Sequence, residues 1–492
     1  ENDEYPGEYA YKYPVAGTTN SKVTVHSFDI KNRVTRTLQV PVEADGYIPR
    51  IHFTDDPEKL AVVTLNRHQN QMDIYMVNPR STEAKLAVRE TNDKYIRETA
   101  YGSLKFYKGH FGYLSDRSGY QHLYWYTLNG KLVKQVTSGD FEVTDFYGYD
   151  ATSGQFYYAA HGTSPLRKEV YSTTGTGKPR LLTSQVGTND ATFSTTMKYF
   201  LNVYSSAQQP PITTLRNASG KVLTTLLDNA DLKKKADNTL GQKEFFTFTT
   251  SEGVTLNGWM IKPLDFDAGK RYPVVMMQYS GPASQRVTDT WRKRFGHYLA
   301  SEGYLVVCVD GRGTHARGRA WRNATYMELG IKEAEDQISV AKYLKTLPYV
   351  DGSRMAICGW SYGGYQTLMC MSKQEGMLWK CGIAIAPVTS WRLYDSAYTE
   401  RYMRRPQVND FGYEKADVMN VAHDLTGNLL LVHALADDNV HAQQSWLYVH
   451  ALVEAGKQFE MQMYPDDNHS IGKPANKEHL HKRILLFLEK NL

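Results

Sequence analysis

Six residues, Gly359-Trp360-Ser361-Tyr362-Gly363-Gly364, restrict this chain more than any other stretch. An apolar run, Met355-Ala356-Ile357-Cys358, leads into them, and the apolar-rich segment from Tyr365 to Met371 reads as a helix behind them. Strand, tight Gly-x-Ser-x-Gly turn and helix is the layout that lifts a serine onto a strained corner above a sheet. Glycine is needed on both sides because such a corner leaves no room for neighbouring Cβ atoms. The hydroxyl then stands at a helix N-terminus, whose dipole favours negative charge developing there. A bare Gly-x-Ser-x-Gly is common, but with both flanks in place Ser361 is the candidate nucleophile.

The residues around this turn alternate between strand and helix. Phe245-Phe246-Thr247-Phe248 and Leu256 to Ile261 read as strands joined by a Ser251-Glu252-Gly253 turn. Val274 to Met277, Tyr304 to Val309, the strand before Ser361, Gly382 to Ala386, Leu429 to Val432 and Phe459 to Met463 read as further strands. Helices are expected through Trp291 to Leu299, Ile331 to Leu344, Ala442 to Leu452 and His479 to Leu488. Such alternation specifies a mostly parallel sheet covered on both faces. A Gly-x-Ser-x-Gly corner on that sheet predicts an α/β hydrolase domain over residues 244–492.

The first half has another rhythm. A chain of 492 residues is too long for one core, so a second domain is expected. Before residue 230 the sequence runs in short β-like stretches, several carrying a tyrosine: Met72 to Tyr75, Gln121 to Tyr124 and Lys168 to Tyr171, with Ile212 to Leu215 as a weaker member. The markers Ile74, Leu123, Val170 and Thr213 recur roughly every 45 residues, the period of a β-propeller blade; a β-sandwich series is the alternative. The 35 tyrosines agree, since strands favour aromatic side chains. Residues 229–242, with Lys233-Lys234-Lys235, read as a polar helical linker whose lysines face solvent. The expected architecture is therefore an all-β propeller over 1–243, incomplete in this chain, followed by the hydrolase.

A serine hydroxyl needs a base to take its proton, and the base needs a carboxylate to orient it. In this fold they follow in the order Ser, Asp, His, each on a loop after a strand. The loop after Leu429–Val432 offers Asp437-Asp438-Asn439-Val440, and the loop after Phe459–Met463 offers His469. Of the seven histidines beyond Ser361, His433 lies too near the strand end, and His441, His450, His479 and His481 read as helical. His423 precedes its strand, which leaves His469. Spacing alone does not separate Asp437 from Asp438.

Other classes are excluded by composition. With 57 basic and 52 acidic residues the net charge is +5, and no basic run is dense enough for a nucleic-acid surface. No apolar stretch approaches the roughly 20 residues of a membrane span. Cys308, Cys358, Cys370 and Cys381 are widely spaced and read as buried thiols rather than a zinc site or disulfide framework. No metal and no cofactor is expected.

The run Gly359 to Tyr365, with Asp437-Asp438-Asn439-Val440, resembles the prolyl oligopeptidase family, and most of all its dipeptidyl peptidase IV branch. Tyr279-Ser280-Gly281-Pro282, Asp310-Gly311-Arg312-Gly313, Ala386-Pro387-Val388 to Trp391, Tyr394-Asp395-Ser396 and Tyr398 to Met403 extend the likeness over nearly all of 244–492. It continues more weakly over 1–243. The resemblance implies a serine peptidase with Ser361 as nucleophile, His469 as general base and acid, and Asp437 as the orienting carboxylate. It implies an oxyanion held by the Tyr362 backbone N–H and the Tyr279 hydroxyl; Tyr279 also fits by position, ending a strand before a Gly-Pro turn. Tyr362, Val388, Trp391, Tyr394, Tyr398 and Val440 would form a flat apolar slot for a proline ring, and Asn439 would donate to a substrate carbonyl. The implied activity is release of N-terminal X-Pro, less well X-Ala, dipeptides from peptide substrates. A homodimer and a periplasmic, cell-surface or secreted setting are implied as well. A tripeptidyl or acylaminoacyl peptidase is the alternative, and a non-catalytic binding relative a lesser one.

Two departures stand out. At His433-Ala434-Leu435 the family has His-Gly-Thr, so the loop carrying Asp437 is expected to be slightly altered. The family's dipeptidyl enzymes also bind the substrate amine with adjacent glutamates, and this chain has no Glu-Glu pair. Tyr13 to Gly17 resembles a segment well inside the family's propeller. The expectation is that 1–492 is the later part of a longer propeller-plus-hydrolase polypeptide.

Overall fold

The computed structural model describes residues 10–374 and 376–492. Its first half builds four antiparallel sheets of four strands. The first runs through Tyr47–Phe53, Leu60–Leu65, Gln71–Val77 and Ala84–Thr91; the second through Lys105–Tyr107, His110–Ser115, His122–Thr127 and Leu132–Gln135. The third uses Val143–Asp150, Gln155–Ala160, Glu169–Thr173 and Arg180–Leu181; the fourth Thr188–Phe193, Tyr199–Ser205, Ile212–Asn217 and Val222–Leu227. Ile74, Leu123, Val170 and Thr213 each fall in the third strand of a sheet, so the repeat read from the sequence is one propeller blade. A two-stranded sheet, His26–Asp29 with Val34–Thr37, precedes them.

Aromatic side chains fill the space between successive blades, which explains the tyrosine content. Ile74 and Val63 of the first meet Phe111, Tyr113, Tyr124 and Tyr126 of the second. Leu123 and Trp125 of the second meet Phe146, Phe156 and Tyr158 of the third, and Tyr157 and Val170 meet Phe200 of the fourth. A ring buries a large apolar area while its hydroxyl keeps a polar partner, as Tyr113 does with Glu90 at 2.7 Å.

A helix, Ala230–Thr239, leads to one eight-stranded sheet. Its strands are β1 (Lys243–Thr249), β2 (Thr255–Ile261), β3 (Tyr272–Met277), β4 (Leu305–Asp310), β5 (Val350–Trp360), β6 (Cys381–Ile385), β7 (Asn428–Ala434) and β8 (Glu460–Tyr464). The spatial order is β1-β2-β4-β3-β5-β6-β7-β8, antiparallel as far as β4 and parallel beyond it. Helices Ile331–Leu344 and Tyr362–Lys373 pack on one face, Phe295–Ser301 and Pro474–Asn491 on the other. The helix expected from Trp291 begins only at Phe295: three consecutive cations, Arg292-Lys293-Arg294, sit badly at the positive end of a helix dipole. Among the described residues no helix is long and apolar enough to cross a membrane.

Buried charges join the two domains. Arg67 of the first blade donates to both Glu400 carboxylate oxygens, at 2.8 and 2.6 Å, and the Arg401 Nε donates to the Gln69 side chain at 2.9 Å. Glu142 of the third blade lies between Arg97 and the hydrolase residues His315 and Arg322. Burial raises the Glu142 carboxyl, but these neighbours outweigh it and hold the group well below the ordinary carboxylate range.

The propeller core gives a direct test. Leu123 is fully buried between the second and third blades. Leu123→Ala is expected to destabilise the propeller by about 2–5 kcal/mol, read as a lower urea midpoint by intrinsic fluorescence. An unchanged midpoint would contradict this packing.

Candidate active site

Strand β5 ends in the expected corner. Ser361 has φ 60° and ψ −119°, a left-handed conformation costly for a residue with a Cβ. The surrounding contacts impose it. A Cβ on Gly359 would lie 2.1 Å from the Gly363 carbonyl oxygen, and one on Gly363 would lie 2.6 Å from that of Gln278. The Ser361 N–H donates to the Ile385 carbonyl at 2.7 Å, which anchors the corner to β6. Helix Tyr362–Lys373 starts immediately, so the Tyr362 N–H belongs to its first turn and has no carbonyl one turn back.

The partner loops converge as the strand order requires. The buried Asp437 accepts from the backbone N–H groups of Asn439 and Val440 through Oδ1, at 3.0 and 2.9 Å. Its Oδ2 accepts from His469 Nδ1 at 2.7 Å. Asp438 is exposed, and its backbone carbonyl receives the Tyr11 hydroxyl. Ser361 and the His469 ring make no direct hydrogen bond; the Trp360 indole N–H instead ties the corner to the His469 carbonyl at 2.9 Å.

His433 lies at the strand end, as the sequence reading had it, and has a part there that the reading did not give it. It lies inside β7, fully buried, with Nε2 2.8 Å from the Val440 carbonyl and 3.3 Å from Asp437 Oδ2. Both neighbours are acceptors, so Nε2 carries the hydrogen, and Nδ1 accepts from the Ser445 hydroxyl at 2.7 Å. Burial raises the Asp437 carboxyl, but donation from His433, His469 and the two amides outweighs it and sets the group at about 2. The loop forms fully despite Ala434 and Leu435. His441 corrects that reading: it precedes helix Gln443–Glu454 and contacts the Tyr11 hydroxyl at 2.7 Å.

Tyr279 stands after β3 with its hydroxyl near the Ser361 side chain. The Arg286 guanidinium lies over its ring, 4.5 Å from the centroid. Burial raises the Tyr279 phenol, and Arg286 and Ser361 offset part of that rise. A hydroxyl donor beside the serine and a free helix-start N–H are the parts of an oxyanion site.

The expected slot residues form one aromatic group. Trp391 packs on Tyr362, Tyr394 and Tyr398 with ring centroids 5.3, 5.8 and 6.0 Å apart. Val388, Trp391, Val440 and Tyr362 are nearly inaccessible, while Tyr394, Tyr398 and Tyr279 are half-buried against them. The Tyr394 hydroxyl donates to Asn439 Oδ1 at 2.6 Å, which leaves the Asn439 NH₂ as its donor end. Unforeseen from sequence, the segment around Tyr13 to Gly17 runs along this wall: Ala16 N–H donates to the Tyr394 carbonyl, and Tyr13 receives the Asp395 N–H. A cavity of about 380 Å³ is lined in part by Tyr279, Trp360, Arg286 and Lys243.

Comparison with known proteins agrees with this fold. The prolyl oligopeptidase family model matches residues 293–492, and that of the dipeptidyl peptidase IV N-terminal region matches residues 1–211. Dipeptidyl-aminopeptidase B of Aspergillus niger is 34% identical over 492 aligned residues, covering 95% of this chain and 55% of the relative. The crystal structure of Porphyromonas gingivalis dipeptidyl peptidase 4 superposes with a TM-score of 0.97 at 46% identity, covering 100% of this chain and 70% of that one. A solved structure from Bacteroides ovatus gives 0.89 at 28% identity, covering 98% and 71%. The chain thus spans about half the length of the curated relatives it matches.

The role of the Tyr279 hydroxyl can be isolated. Tyr279→Phe keeps the ring under Arg286 and deletes one donor, so kcat should fall by about 10²–10³ with KM little changed. Steady-state kinetics on a chromogenic peptide amide decide it; normal kcat would make the hydroxyl merely structural.

Proposed function

The chain belongs to the prolyl oligopeptidase family, and on that premise we propose that it is a serine exopeptidase releasing N-terminal X-Pro, less well X-Ala, dipeptides. The observation that carries this reading is the Asp437–His469 hydrogen bond of 2.7 Å, on a loop that Trp360 ties to the strained Ser361 corner. Trp391 and Tyr398 stacked together, with Tyr394 edge-on to both, support a ring-shaped apolar residue before the cleaved bond.

In this mechanism Ser361 Oγ attacks the carbonyl carbon of the second residue, and its proton passes to His469 Nε2. Asp437 accepts from Nδ1, fixes the ring and stabilises the imidazolium without taking the proton. The oxyanion is held by the Tyr279 O–H and the Tyr362 N–H. Collapse expels the shortened peptide as its amine, protonated by His469, and leaves the dipeptide esterified to Ser361. Water then attacks the ester with His469 as base, and the dipeptide leaves as a carboxylic acid. Asn439 donates to a carbonyl of the bound substrate and so helps fix its register.

A second reading is tripeptidyl or acylaminoacyl hydrolysis on the same machinery, which would differ in how the substrate's amino end is held. We also infer a division into a propeller part, 1–243, and a catalytic part, 244–492. Helix Gln443–Glu454 exposes Trp446 and Val453, an apolar face suited to a second copy.

Hydrolysis of Gly-Pro against Ala-Ala-Pro chromogenic amides separates the two readings, the first predicting preference for Gly-Pro. Ser361→Ala should lower turnover by roughly 10⁶ and abolish fluorophosphonate labelling. Labelling that persists in the variant would remove Ser361 from the reaction.

A further inference from the structure

The buried carboxylates around the site are matched by donors, with one exception. Asp437 has its two histidines and two amides, Asp336 has Arg312, Glu400 has Arg67, and Asp310 accepts from the N–H groups of Arg286 and Val287. Glu333, on the first turn of helix Ile331–Leu344, is fully buried and differs. Its Oε1 accepts from the Tyr362 hydroxyl at 2.7 Å, and its Oε2 has no partner. The titratable groups facing it are Tyr362, Tyr365 and Cys370 of the helix after Ser361 and Asp336 of its own helix. None of them is a cation.

A carboxylate so enclosed is expensive to ionise, whereas a neutral acid loses little by burial. Burial raises the Glu333 carboxyl to about 8, with donation from Tyr362 and the positive field of the N–H groups at the helix start opposing the rise only in part. Burial and the unpartnered oxygen both favour the protonated acid at neutral pH, in a group bonded to the side chain of Tyr362, whose N–H the proposed mechanism assigns to the oxyanion.

We propose that Glu333 is a positioning residue that works as a neutral acid: it fixes Tyr362 while keeping negative charge out of the space behind the oxyanion site. The proposal rests on the roles given above to Ser361 and Tyr362. Ionised Glu333 would oppose a second negative charge forming nearby in a low-dielectric interior, so the transition state loses stabilisation as the group deprotonates. The same helix also steadies the other oxyanion donor. Gln337, one turn on, donates to the Val309 carbonyl at 3.0 Å and to the Ser280 hydroxyl at 3.2 Å, next to Tyr279.

The experiment is the rate of Ser361 labelling by a fluorophosphonate against pH, a probe without an amino group of its own to titrate. In the wild-type protein the rate should fall above pH about 8, approaching tenfold per unit. Glu333→Gln keeps the shape and the neutral state. It should label within about threefold of wild type at pH 7 and hold that rate through the alkaline range. Tyr362→Phe removes the phenol that stabilises the ionised carboxyl, so any remaining fall should move to higher pH. Unfolding temperature supplies a readout independent of labelling. A folded-state value raised from 4.5 to about 8 contributes stability that is complete below the lower value and lost as pH rises through the upper one. That slope should be weaker in Glu333→Gln. An alkaline fall at the same pH in all three proteins would overturn the proposal, as would a folded Glu333→Gln protein that does not label at pH 7. If Glu333→Gln does not fold, the Tyr362→Phe shift decides. Absence of labelling in wild type would overturn the nucleophile assignment instead, and the unfolding slopes would then decide the protonation of Glu333.

Discussion

The site depends on a backbone contact in which no side chain takes part. Gly359 and Gly363 approach so closely that a single Cβ on Gly359 would penetrate the next turn. That approach lets β5 pass directly into helix Tyr362–Lys373, with Ser361 as the one residue between them. The cost is a left-handed serine, and the bond from its N–H to Ile385 helps hold it there. From this corner the rest follows: the hydroxyl clears the sheet, the helix presents an unpaired N–H beside it, and the ends of β3, β7 and β8 bring Tyr279, Asp437 and His469 within reach.

Asp437 does a different kind of work. Four donors surround its two oxygens, two backbone amides at one and two imidazole N–H groups at the other. A carboxylate so saturated gains little from taking a proton, so His469 has an acceptor that orients it and stays charged. The ring is held at its other end as well. Trp360, the residue before Ser361 in the corner, bonds the backbone of His469, so one hexapeptide positions both Ser361 and the loop of His469.

Much of this was legible in the sequence, and what was not has a common physical cause. The corner, the strand-helix alternation and the blade period leave local signatures, and the four blade markers landed on equivalent strands. The order Ser, Asp, His narrowed seven histidines to one. Charged and polar residues that turn inward left no such mark. Glu333, Asp336 and Gln337 share one buried helix face, yet in the sequence a run like Glu-Ala-Glu-Asp-Gln reads as solvated surface. His433 was set aside for its nearness to a strand, although that nearness is what carries it behind Asp437. The extra turn expected before Phe295 failed because apolar periodicity was weighed there without the three cations beside it.

The link between the domains was hidden for the same reason, and it bears on the shape of the slot. Helix Ser396–Met403 carries Tyr398, and it begins at Asp395, whose side chain accepts from the Tyr398 N–H. The other side of this helix is held by the propeller. Glu400 takes two bonds from Arg67 and one from the Gly17 N–H, and Gln69 donates to the Ala397 carbonyl. A buried ion pair of this kind adds little net stability, but removing one partner strands the other charge and costs about 3–5 kcal/mol. Its consequence is therefore positional: the helix can adopt only the placement in which Glu400 meets Arg67. The aromatic wall of the catalytic domain thus takes its position from the first blade, and a change there would reach Tyr398 through one carboxylate.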